Sequence, residues 1–166
     1  MSLFIAKSIR TVLLPAALSL ALAAGAAAAA EPSATAAEVM AVAKAQWAAQ
    51  NKNRPASETM GSIADDYTEF NGDVPTLLEG KALASRFYEA SLQSGDKGLV
   101  SEMVNPHVQV YGDTAILAYN YAGVTKGSDG KMHNNFAKST RVYVRQNDRW
   151  MLVHANFAPV VTPNNP

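Results

Sequence analysis

Arg141 sits in the middle of Ser139-Thr-Arg-Val-Tyr143, a β-branched and aromatic run in which a strand is expected. A guanidinium carried inward by such a strand needs an internal carboxylate or a bound anion, because an isolated buried charge is costly. Both readings stay open from the residues alone. Asp65-Asp66-Tyr67 contains the only adjacent pair of acids in the chain. An aspartate beside a tyrosine in an apolar pocket can run enolisation chemistry, which makes Asp66 and Tyr67 acid/base candidates. Neighbouring strand residues point to opposite faces, so at most one of Asp65 and Asp66 can look into a pocket. Capping or surface solvation is the commoner fate of such a pair. The three histidines are His107, His133 and His154, and none has a His or Cys partner at metal-ligand spacing. No metal or cofactor is therefore expected, and His154, in Trp150-Met-Leu-Val-His154, is left as a third acid/base candidate. Gly80-Lys81 and Gly95-Asp-Lys-Gly98 lack the full phosphate-loop pattern and read as helix boundaries. Ser139-Thr140 has no readable nucleophile partner, and with no cysteine in the chain thiolate chemistry is excluded.

The elements that must hold these residues are legible in outline. Val108, Val110, Ile116, Leu117, Tyr119 and Tyr121 form β-branched and aromatic runs. They are cut at Tyr111-Gly-Asp113, at Gly127-Ser-Asp-Gly130 and at Gln146-Asn-Asp148, which predicts four antiparallel strands in the last third. Upstream, Thr35-Ala-Ala-Glu38 has capping-box spacing, and Val39, Met40, Ala43 and Trp47 recur at helical intervals to about Gln50. Ser57 is placed to cap a short helix through Ala64, and Asp66 to Asn71 reads as a strand. A third helix is expected over Lys81 to Ser94, with Leu83, Phe87, Ala90 and Ser91 along one face. Strict alternation in the last strand puts Trp150, Leu152, His154 and Asn156 on one side, and Met151, Val153, Ala155 and Phe157 on the other. Both faces are substantially apolar, so one of them needs cover beyond the helices, and a second subunit is the economical choice.

The front of the chain is a different kind of sequence. Lys7 and Arg10 precede an apolar span from Thr11 to Ala30 that ends Ala28-Ala-Ala30, the layout of a secretory signal peptide cleaved before Glu31. A membrane anchor is the alternative, since the span just reaches across a bilayer by length. Cleavage would remove two of the 14 basic residues and none of the 14 acids, leaving a mildly acidic protein with no basic patch for nucleic acid. The expected layout is a signal peptide over residues 1–30, a short polar lead over 31–37, one domain over 38–160 and a disordered tail over 161–166. A mature chain of about 136 residues can hold together on its core without disulfides.

The segments Asn105 to Asp113, Ala115 to Tyr119, Ser139 to Tyr143 and Asp148 to His154 closely resemble the association domain of calcium/calmodulin-dependent protein kinase II. Glu69-Phe70, Leu78-Glu-Gly80 and Arg86-Phe-Tyr88 extend the likeness to roughly residues 38–158. The resemblance implies an α+β fold of the nuclear transport factor 2-like, or SnoaL-like, kind: a curved antiparallel sheet wrapped around an N-terminal helix, with two further helices and a pocket between. It also implies that Arg141 looks into this pocket and helps to bind small carboxylates, and that His154 is structural. The family's other pocket arginines align with Tyr121 and Phe157, and its pocket histidine with Ser85. With Tyr143 these residues describe a mostly apolar lining. No kinase domain, nucleotide loop or calmodulin-target helix accompanies the domain. Two functions stay open. One is an exported, periplasmic or secreted, non-catalytic module that forms a homodimer or higher oligomer and binds a small, mostly apolar, carboxylate-bearing ligand. The other is a SnoaL-like enzyme performing isomerisation, cyclisation or elimination on a small organic acid or polyketide-like substrate.

Overall fold

The computed structural model describes residues 33–160. The expected signal peptide over 1–30, the first residues of the polar lead and the tail over 161–166 lie outside them. The fold opens with helix α1 (Ala34–Asn51), a single turn α2 (Ala56–Thr59), strand β1 (Ile63–Phe70), a two-residue strand β2 (Leu78–Glu79) and helix α3 (Lys81–Leu92). Four long strands complete it: β3 (Lys97–Tyr111), β4 (Thr114–Lys126), β5 (Met132–Gln146) and β6 (Arg149–Pro159). They form one curved, unclosed sheet in the order β2-β1-β6-β5-β4-β3. Neighbours are antiparallel except β1 and β6, which run parallel. No helix among the described residues is long and apolar enough to cross a membrane.

Helix α1 starts earlier than its capping-box signal suggests, so residues 34–37 belong to the helix and not to a polar lead. Ser33 is the N-cap, its hydroxyl accepting from the Ala36 amide at 3.2 Å. With the helix begun there, Glu38 lies in the second turn, too far along to reach back. Its carboxylate instead accepts from the Trp150 indole at 3.2 Å, tying α1 to β6. Trp150→Phe should therefore cost about 1.5–3 kcal/mol, the value of a hydrogen bond to a charged group, with a further cost for the indole volume lost from the core. Chemical denaturation of the two proteins measures this, and an unchanged midpoint would refute it. Ala36, Val39, Ala43, Gln46 and Trp47 are the buried stripe, at i+3 and i+4 intervals.

Ser57 does not cap α2, which is a single turn after Pro55, because the chain turns into β1 already at Ile63. Helix α3 docks through Ala84, with Tyr88 half-buried against the core, and leaves Leu83 and Phe87 at 42% and 39% exposure. Its buried face is thus one residue round from the expected one: the Tyr88 hydroxyl, donating to the Arg54 carbonyl at 2.8 Å, fixes the rotation.

The turn chemistry acts as expected. Asn147 and Asp148 both take positive φ, 49° and 60°, in the two-residue link between β5 and β6. Asn105-Pro106 interrupts β3: Asn105 has φ 50° and the register slips between Val104 and His107. Proline removes a ladder donor there, and a bulge is where a strand tolerates that. Trp47, Tyr67, Leu117, Tyr143 and Leu152 pack in the core between α1 and the concave face.

Strand β6 departs from strict alternation. Val142 pairs with His154 but Tyr143 pairs with Leu152, so Val153 is an extra residue on β6. The bulge turns Ala155 and Phe157 onto the side of Trp150 and Leu152, and puts His154 on the other face. On that convex side Ile116, Val142, Val144, Met151 and Val153 are half-buried.

Candidate functional site

Strand β5 carries Ser139, Arg141 and Tyr143 inward, and α1 crosses over them. Arg141 is 3% exposed. Its Nε donates to the Tyr119 hydroxyl at 2.9 Å and its Nη1 to the Gln46 side-chain carbonyl at 2.6 Å. The guanidinium carbon lies 5.6 Å from the Trp47 ring centroid and 5.2 Å from that of Phe157, between two π-faces. Among the described residues no carboxylate forms an ion pair with it. Burial works against its charge, but the oxygens of Tyr143 and Tyr119 outweigh it and raise the guanidinium's pKa. Arg141 is held charged by neutral partners.

Arg141 lines two adjoining chambers. The larger, about 610 Å³, is walled by Trp47, Tyr119, Tyr121, Phe136, Phe157 and Pro159. The smaller, about 340 Å³, adds Tyr67, Glu69, Asn71, Leu78 and Phe87, and Gln50 and Asp73 reach both. Size and lining suit a small molecule with one polar end. Trp47 stacks edgewise on Tyr121 with centroids 5.5 Å apart. The Tyr121 hydroxyl is 3.0 Å from that of Ser101, which also bonds Asn51. Gly123 makes room for this ring, since a Cβ there would collide with the Tyr121 hydroxyl.

The remaining candidates divide. Arg141, Tyr121 and Phe157 meet at the larger chamber. Tyr143 is fully buried behind Arg141 and lines neither chamber; burial pushes its phenol up and the adjacent Arg141 opposes this. Ser85, on α3, also lines neither, because α3 turns Ala84 inward in its place. Asp66 is exposed, as is Asp65, because the register of β1 against β6 slips between Ile63 and Thr68 and breaks the alternation. Tyr67 does face the smaller chamber, but its hydroxyl donates to Glu69 at 2.5 Å. Burial first, then the Glu69 carboxylate, pushes its pKa up, so it stays protonated. His154 lies on the convex side of the bulge, its Nδ1 2.8 Å from the Thr68 hydroxyl and its ring 6.1 Å from that of Phe70. It lines neither chamber. Sequence reasoning missed Gln46 and Tyr119. A glutamine inside the apolar stripe of α1 was the available signal, since a buried amide implies a polar partner opposite.

A curved sheet closed over by one long helix, with a pocket between, defines a nuclear transport factor 2-like cone. Residues 35–160 match the family described as the calcium/calmodulin dependent protein kinase II association domain, and the chain belongs to that family. Solved structures of the same shape include the association domain of the C. elegans kinase (22% identity, TM-score 0.62, 75% of this chain and 95% of that one). The S. rosetta kinase hub matches at 22% identity and TM-score 0.64, over 78% of this chain and all of that one. A nuclear transport factor 2-like protein of Pseudomonas putida matches at 18% and 0.64, over 80% and 92%.

Proposed function

We propose that this protein is an exported association module that assembles with copies of itself through the convex face of its sheet and holds a small, mostly apolar carboxylate in the cone. The observation that carries the ligand is Arg141: a buried cation, partnered only by neutral groups, opening into a cavity walled by aromatic rings. Such a charge costs desolvation energy that an incoming anion returns.

Assembly is supported by the family and by the hub from S. rosetta that the fold matches. It is also supported by the apolar residues on β4, β5 and β6 that no element among the described residues covers. Export rests on the composition of residues 1–30. The acid/base chemistry of an enzyme finds little support, since Asp66 and His154 lie away from the chambers and Tyr67 is engaged by Glu69. Native mass spectrometry of protein recovered from the exporting host tests the whole reading. The expected species is a multimer of a chain beginning near Glu31, with small-molecule adducts released on activation. A monomer retaining Leu13 and Leu14 in the membrane fraction would overturn both assembly and export.

A further inference from the structure

The smaller chamber holds more than a carboxylate would use. Glu69 and Asp73 line it together with Arg141, yet neither acid is within ion-pair distance of the guanidinium. Glu69, which accepts from the Tyr67 hydroxyl, and Arg141 line the same chamber. Glu69 accepts from Tyr67 on one oxygen and from the Asn71 amide on the other, which leaves a lone pair on each. Asp73, an exposed residue on the loop between β1 and β2, lines both chambers, and its carboxylate takes no hydrogen bond among the described residues. Opposite charges that face one chamber without closing on each other are bridged by a ligand that carries both signs.

We infer that the cone selects α-amino acids with a large apolar or aromatic side chain. The carboxylate sits on Arg141 where the chambers join, and the ammonium points to Glu69 and Asp73. The side chain fills the larger chamber against Trp47, Tyr121 and Phe157. This rests on the carboxylate site proposed above and adds the amino group to it.

Calorimetry on the mature protein with L-phenylalanine, 3-phenylpropionate and phenethylamine tests it, since the three share a ring and differ only in their charges. L-phenylalanine should bind at least about tenfold more tightly than either analogue, the usual value of a charge-assisted bond. The double variant Glu69→Gln, Asp73→Asn should erase its advantage over 3-phenylpropionate without weakening the latter. The introduced glutamine has one carbonyl oxygen, which can still accept from Tyr67 while the Asn71 bond is lost, and a thermal melt checks the fold. Equal or tighter binding of 3-phenylpropionate to the natural protein would overturn the amino-acid inference and leave the carboxylate site standing. Binding of phenethylamine alone, or of none of the three, would overturn both.

Discussion

Val142→Asp should convert the assembled protein to monomers. Val142 lies on the convex face, paired with Ile116 and His154 in register, beside Val144, Met151 and Val153. An aspartate there leaves the single chain folded, because its carboxylate reaches water once the face is free. In an assembly the same carboxylate is buried against apolar neighbours without a partner, which costs roughly 3–5 kcal/mol. That is a loss of about a hundredfold to several thousandfold in association constant at each interface. Sedimentation at micromolar concentration reads it directly. A variant that stays assembled would move the interface off this face, and a natural protein that is already monomeric would remove it.

Arg141→Met should leave the melting temperature of the unliganded protein near its natural value while abolishing the shift produced by 3-phenylpropionate. Methionine keeps the aliphatic stem and gives up the guanidinium between Trp47 and Phe157, and no acid is stranded by the loss of charge because none forms an ion pair with it among the described residues. The unmade bonds to Tyr119 and Gln46 are set against the relief of a buried charge. Binding should weaken by about 1.5–3 kcal/mol, the value of a lost charged hydrogen bond. Arg141→Lys should recover only part of it, since a point charge cannot reproduce the planar fork. A melting temperature that collapses in the methionine variant would show instead that Arg141 is a structural cation.

Most of the fold was readable, and the reasons are local. Gly112, Asn147 and Asp148 announce hairpins because only such residues adopt positive φ cheaply, and α1 declares itself by the spacing of Val39, Ala43 and Trp47. The misreadings share one cause: periodicity assumes an uninterrupted element. One extra residue at Val153 moves His154 to the far face and brings Phe157 to the cavity, and nothing in the residue types marks where a strand will bulge. The face of α3 was misjudged because Leu83 and Phe87 are the larger apolar residues, whereas the space over β1 admits only the small Ala84. Arg141 stood out as a buried cation in a strand. Its partners did not, because Gln46 is 95 residues away and the tertiary fold alone brings it there.

Strand β6 is the last element among the described residues and yet lies inside the sheet, bonded to β1 on one side and β5 on the other. Until Arg149–Pro159 is available, β1 and β2 have no place beside the hairpins formed by β3, β4 and β5, and α1 lacks the anchor that Trp150 offers to Glu38. The order of synthesis is therefore opposed to the order of closure, and contacts so distant in sequence form slowly. Under the export proposed above, this topology would itself be the timer: the cone could not shut before β6 had crossed.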